Sequence, residues 1–200
     1  MFIEPNIGKI RPSEKSGWIE VVCGCMFSGK TEELIRRLNR AIIARQKVEI
    51  FKPSVDKRYD DEKVVSHNKT TIRSTSIDFP ADILLLASQT EVVGVDEIQF
   101  FDDSVVDVCV KLANSGKRVI AAGLDMDFSG KPFGPISNLM AVAEYITKVH
   151  AICAACGNIA SYSFRLTKSE ETVVIGEKDI YEPRCRRCFN EGMKENIDKS

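Results

Sequence analysis

The octapeptide Gly24-Cys25-Met26-Phe27-Ser28-Gly29-Lys30-Thr31 constrains this chain more than any other stretch. It follows a short apolar run, Trp18 to Cys23, and opens into a helix-periodic segment from Glu32. Gly-x-x-x-x-Gly-Lys-Thr between a strand and a helix is the signature of a phosphate-binding loop. Glycines let the main chain close around phosphate oxygens with N–H groups turned inward, and the helix N-terminus adds its positive end. Lys30 is placed to reach the outer phosphates of a bound nucleotide, and the Thr31 hydroxyl to bind Mg2+. A glycine turn with a solvated lysine is the plainer alternative, but it gives no reason for a strand before and a helix after.

The rest of the chain alternates in the same way. Leu34, Ile35, Leu38, Ala41 and Ile42 share one helical face, and Arg36, Arg37 and Arg40 are assigned to a solvated opposite face. Strands are predicted at Val48–Phe51, at Thr71–Thr75 as an edge, at Glu91–Glu97, at Lys117–Gly123 and at Ile146–Ile152. Helices are predicted at Ala81–Ala87, Ser104–Asn114 and Ile136–Glu144. Repeated strand–helix alternation implies a mostly parallel sheet sandwiched by helices, the α/β architecture of P-loop nucleotide-binding proteins. The polar residues 1–16 read as a flexible N-terminal arm, 17–150 as the nucleotide-binding domain, 151–192 as a small cysteine-rich domain, and 193–200 as a flexible tail.

Asp96-Glu97 ends a hydrophobic strand. In a phosphate-loop protein a carboxylate there holds Mg2+, and the second carboxylate is available to take a proton from an attacking hydroxyl. Side chains alternate along a strand, so both reach one crevice only where the strand ends. Asp56 and Arg58 follow the second strand, on the side where α/β proteins bind ligands. On the residues alone, a site role and a solvated charged loop stand level for them.

Cys153-x-x-Cys156 and Cys185-x-x-Cys188 are two metal knuckles whose four thiolates suit a closed, structural zinc site. The chain has 7 cysteines, an odd number that argues against a simple disulfide framework. Cys23 and Cys109 fall in apolar patterns and read as inert core thiols, whereas Cys25, inside the phosphate loop, is a candidate reactive thiol. Between the knuckles, Ser161–Leu166 and Thr172–Ile175 read as strands and Gly176–Tyr181 as a loop. That segment suits a lid over a ligand or a zinc ribbon with Arg184, Arg186 and Arg187 as its basic edge; the residues alone leave both open.

The formal net charge is −1 over 200 residues, so no bulk positive field invites nucleic acid, which disfavours a nucleic-acid-driven motor. No apolar run is long enough to span a bilayer, and the N-terminus lacks a basic start with an apolar core, which leads to a cytoplasmic expectation.

Taken in order, Gly24-x-Met26 to Thr31, Asp96-Glu97-Ile98-Gln99-Phe100-Phe101, Gly123-Leu124-Asp125-x-Asp127-Phe128, Lys131-Pro132-Phe133-Gly134, the cysteine quartet, and Val174-Ile175-Gly176 with Tyr181 resemble the zinc-containing, tetrameric thymidine kinase family from Gly17 to Phe189. The resemblance implies transfer of the γ-phosphoryl of ATP to the 5′-hydroxyl of thymidine, with Mg2+; because one methylene is worth only roughly 1–3 kcal/mol, deoxyuridine is expected as a substrate too. It implies Glu97 as base, Arg58 and Lys30 as charge stabilisers, and Thr31 and Asp96 on Mg2+. Met26, Phe100, Leu124, Phe128 and Phe133 would wall the nucleoside, and Ser163, Val174, Gly176 and Tyr181 would belong to a lid, or lasso, that wraps the base. Structural zinc, feedback inhibition by dTTP and a homotetramer are implied as well. Three positions depart from the family pattern: Cys25 stands where Pro is usual, Ser163 where Thr is common, and Glu177 where small residues are frequent.

Overall fold

The computed structural model describes residues 17–55, 63–65, 71–167 and 180–198. The arm 1–16, Asp56, Arg58, the predicted strand Thr172–Ile175 with Val174, and Gly176 and Glu177 lie outside the described residues. β1 (Trp18–Gly24) precedes the phosphate loop, and α1 (Lys30–Ile43) follows it. Next come β2 (Val48–Pro53), β3 (Lys63–Val65), β4 (Thr71–Ile77), α2 (Asp82–Leu86), β5 (Val92–Val95) and α3 (Ser104–Asn114). β6 (Arg118–Leu124), α4 (Ile136–Val142) and β7 (Tyr145–Lys148) complete the main layer.

The sheet runs β3-β4-β2-β5-β6-β1-β7, and every pairing in it is parallel except β3 with β4. Residue parity builds two cores. Ile19, Val21, Cys23, Phe51, Val93, Val95, Val119 and Ala121 face α3 and α4. Their neighbours Val22, Ile50, Val92, Ile120 and Ala122 face Leu34, Ile35, Leu38 and Ala41 of α1. Strands buried on both faces are what a parallel sheet covered by helices requires. The phosphate loop and the ends of β5 and β6 therefore open on the same, carboxyl edge of the sheet.

Four expectations change. β4 is not an edge: the three-residue β3 covers it, and a strand that short in a charged stretch carries no hydrophobic signature. The predicted strand Ile146–Ile152 divides: β7 ends at Lys148, although the Val149 N–H still donates to the Cys23 carbonyl of β1 at 2.8 Å. β8 (Ala151–Ile152) then pairs with β9 (Ile159–Ala160), outside the main sheet. β10 (Tyr162–Arg165) pairs with β11 (Tyr181–Arg184), so Tyr181 opens a strand rather than closing a loop. Residues 193–198, read as tail, continue α5 (Arg186–Asp198).

The arginine face of α1 also differs. Ile42 is 45 % exposed, whereas Arg37 is fully buried. Arg37 Nη1 lies 2.8 Å from Glu20 Oε2 and its Nε 2.8 Å from Glu33 Oε1. Arg118 Nε meets the other oxygen of Glu20 at 2.6 Å. Glu20 has even parity on β1 and so points at α1; the carboxylate draws the arginine in.

Candidate active site

The phosphate loop closes on itself. Ser28 Oγ donates to the Cys25 carbonyl at 2.7 Å, and Lys30 Nζ donates to the same oxygen at 2.8 Å. Gly29 is left-handed at φ 85°, and the α1 N-terminus starts directly at Lys30. Thr31 Oγ1 donates to Asp96 Oδ2 at 3.2 Å, so the two residues predicted to serve Mg2+ meet although they are far apart in sequence. Asp96 is buried. Burial first, and then the Glu97 carboxylate, pushes its carboxyl up to about 7. A hydroxyl beside a buried carboxylate is a hard-oxygen donor set that fits Mg2+, and a cation there would favour the ionised carboxylate again.

Glu97 leaves the strand by a left-handed turn, φ 50° and ψ 39°, and a single 3-10 turn, Ile98–Phe100, follows. A non-glycine residue in that conformation costs on the order of 1–3 kcal/mol. The turn breaks the alternation that would have sent Asp96 and Glu97 to opposite faces. Asp96 Oδ1 accepts the Glu97 N–H at 3.0 Å, and the Gln99 side chain donates to Glu97 Oε2.

The residues named for the nucleoside wall and lid make the following contacts. Phe100 and Phe133 meet edge to face with centroids 5.8 Å apart. Leu124 is tied in through its N–H, which donates to Gln99 Oε1 at 2.9 Å. Ser163 Oγ accepts the Met26 N–H at 3.0 Å and so pins the phosphate loop to β10. Phe128 and Tyr181 are joined by a residue that sequence reasoning left without a role, the buried Arg165. Its guanidinium lies 3.6 Å from the Phe128 ring centroid, and its Nη2 donates to the Tyr181 hydroxyl at 2.7 Å. Arg165 stands opposite Tyr181 in the β10–β11 register, which only the unexpected strand pairing reveals. Gln99 stands in the quoted Asp96–Phe101 motif but was given no role; its signal was an amide inside an otherwise apolar Ile98–Phe101 run.

The sulfurs of Cys153, Cys156, Cys185 and Cys188 all lie within 4.8 Å of one another. The Asn158 main-chain N–H first, and then Cys188, hold the Cys156 thiol below its ordinary range. Cys188 is raised, first through Cys156 and then by burial. Thiols this close cannot all ionise unless a cation sits among them, so the donor set fits zinc. Cys25, the candidate reactive thiol, is instead buried against this lobe beside Ala151 and Ala160. Its Sγ donates weakly to the Ala160 carbonyl at 3.5 Å, and burial holds the thiol above its ordinary range. It is a packing residue, because the thiolate is the reactive form. Cys23 and Cys109 are buried as expected, with burial pushing them up to about 11 and about 12.

Comparison with known proteins bears on the whole arrangement. Residues 17–189 match the family model described as thymidine kinase. A curated thymidine kinase of Rhodothermus sp. (strain ITI 518) is 60 % identical over 189 residues, covering 94 % of this chain and 88 % of the relative. One of Bacteroides fragilis (strain YCH46) is 56 % identical over 200 residues, covering 100 % and 99 %. One of Porphyromonas gingivalis (strain ATCC BAA-308 / W83) is 58 % identical over 177 residues, covering 88 % and 87 %. With this similarity, and with a phosphate loop, a two-carboxylate strand end and a cysteine quartet in one fold, the chain belongs to the thymidine kinase family.

Proposed function

We propose that this protein transfers the γ-phosphoryl group of ATP to the 5′-hydroxyl of thymidine, and of deoxyuridine, for deoxynucleotide salvage. The observation that carries the reading is the division of labour at the end of β5. Asp96 is bound to Thr31 of the phosphate loop, while the left-handed turn at Glu97 frees its carboxylate from the strand's alternation. A protein that only bound nucleotide would need the first carboxylate and not the second.

In this reading residues 24–31 hold the phosphates of ATP, and Lys30 moves from the Cys25 carbonyl to the outer phosphates. Thr31 and Asp96 would hold Mg2+, which neutralises charge on the transferring group. Glu97 accepts the 5′-hydroxyl proton as the oxygen attacks phosphorus in line. Met26, Phe100, Leu124, Phe128 and Phe133 wall the nucleoside, with Ser163 and Tyr181 contributed from the cysteine lobe. An apolar wall with few polar contacts suits an uncharged pyrimidine. A single methyl separates thymidine from deoxyuridine and is worth roughly 1–3 kcal/mol, so the two are poorly discriminated. Arg58 as charge stabiliser, and Val174 and Gly176 around the base, are carried from the family motif. So are dTTP as feedback inhibitor, a homotetrameric assembly, a cytoplasmic location and the division into a nucleotide-binding domain, 17–150, and a zinc domain, 151–192. Among the described residues no helix is long and apolar enough to cross a membrane.

The test is incubation with ATP, Mg2+ and a nucleoside panel, with detection of nucleoside 5′-monophosphates. Thymidine and deoxyuridine are expected to be phosphorylated and purine nucleosides to be spared. Glu97→Gln is expected to lower turnover by about 100- to 10,000-fold, the range for a lost general base, while ATP still binds. Near-normal turnover in that variant removes Glu97 from the role of base.

A further inference from the structure

Gln99 is 3 % exposed, and both ends of its amide are engaged. Oε1 accepts the Leu124 N–H at 2.9 Å, and Nε2 donates to Glu97 Oε2 in a short hydrogen bond. The reverse orientation would set NH2 against the Leu124 N–H and a carbonyl against a carboxylate, so the amide has one satisfactory placement. The backbone makes room for it on two sides. A Cβ on Gly123 would stand 2.6 Å from Gln99 Oε1, and one on Gly134 would stand 2.4 Å from the Gln99 carbonyl oxygen. Gly123 precedes Leu124 and Gly134 follows Phe133, so both close approaches fall beside residues of the proposed nucleoside wall.

We propose that Gln99 is a positioning residue for phosphoryl transfer, fixing the Glu97 carboxylate relative to the β6 end that carries Leu124. The proposal rests on the reading of Glu97 as base. Its physical content is a distance constraint. Glu97 sits on a strained turn at the end of β5, and the nucleoside wall belongs to the end of β6 and the loop beyond it. β5 and β6 are adjacent, but β5 stops at Val95, so main-chain pairing no longer holds Glu97 to its neighbour. The Gln99 amide replaces that link across the gap. A proton acceptor must be within hydrogen-bond reach of the hydroxyl it serves, and a misplacement of about 1 Å can cost on the order of 100-fold in rate.

The experiment is a double-mutant cycle on the full chain, read as the single-turnover rate of thymidine 5′-monophosphate formation at saturating ATP, Mg2+ and thymidine. Gln99→Glu keeps the acceptor for the Leu124 N–H and replaces the donor to Glu97 by a carboxylate. It is expected to slow the rate roughly 10- to 100-fold. The thymidine KM should stay within about threefold, because uniform binding is untouched. In the Glu97→Gln background the same substitution should cost less than about threefold, because the group through which Gln99 acts is already disabled. Equal losses in both backgrounds, or a Gln99→Glu rate within about threefold of the parent, overturn the proposal. A Glu97→Gln rate equal to the parent's removes the base assignment and the proposal with it, and is told apart by that single variant. Where Gln99→Glu does not fold, Gln99→Met, of similar length and without either polar function, goes through the same cycle, judged only by the difference in rate loss between the parent and Glu97→Gln backgrounds because it also removes the acceptor of the Leu124 N–H.

Discussion

At the residue scale, Arg165 is the side chain whose role depends most on its surroundings. A buried guanidinium needs partners, and here they include the Phe128 ring and the Tyr181 hydroxyl. It therefore sets the spacing between an aromatic of the β6–α4 loop and one on β11. A desolvated cation–π contact is worth about 2 kcal/mol, which is more than tenfold in an equilibrium constant. Arg165→Met is thus expected to raise the thymidine KM roughly tenfold and leave the ATP KM near its parent value. Steady-state kinetics with each substrate varied in turn checks this, and a rise confined to ATP would contradict it. Cys25 teaches the opposite lesson. Its place in the phosphate loop suggests chemistry, and its packing against Ala151, Ala160 and two metal-knuckle cysteines removes it.

At the element scale, β1 and α1 are joined by charge as well as by apolar contact. Glu20 serves Arg37 on α1 and Arg118 on β6, and all three side chains are buried or nearly so. Removing the carboxylate leaves two buried guanidiniums without it, a change that costs about 3–5 kcal/mol. Glu20→Ala is therefore expected to lower the urea midpoint strongly while the folded fraction keeps its thymidine KM, because no described contact links Glu20 to the site. Destabilisation below about 1 kcal/mol, the scale of a surface pair, would show that the network is not a buried one. Glu33 belongs to the same cluster. Burial works to raise its carboxyl, but Arg36 and Arg37 prevail and hold it below the ordinary range. The sign follows from linkage: this stabilisation is present above the ordinary carboxylate range and is lost as pH falls through the lowered value.

At the scale of the whole molecule, the cysteine lobe is fastened to the phosphate loop. The Met26–Ser163 hydrogen bond, the Cys25 packing and the bond from the Val149 N–H to the Cys23 carbonyl all lie at this junction. Among the described residues the lobe's sheets have two strands each, too few to be stable alone, and thiolate zinc can supply on the order of 10 kcal/mol. About one zinc per chain is expected by metal analysis. Stripping the metal is expected to raise amide hydrogen exchange in β10 and at Met26, while β5 and β6 keep their protection. Unchanged exchange at Met26 would sever the proposed coupling between the zinc lobe and the loop.

The chemistry-bearing residues were legible in the linear chain because phosphate and zinc demand short, local spacings: Gly29-Lys30-Thr31 at a helix start and two Cys-x-x-Cys knuckles. The parallel sheet was legible too, because strands buried on both faces announce themselves as largely apolar runs, at Trp18–Cys23 with Glu20 as the one interruption and at Val92–Val95. What depended on long-range contact was not. Arg37 looks solvated by helical periodicity alone and is buried because Glu20, on another element, lies under it. β11 pairs with β10 by a register that no local pattern encodes, and only that register sets Arg165 against Tyr181. Asp96 and Glu97 were visible as a pair. Their separation into a carboxylate on Thr31 and one on Gln99 required the left-handed turn and the close approach of β6, which are tertiary facts.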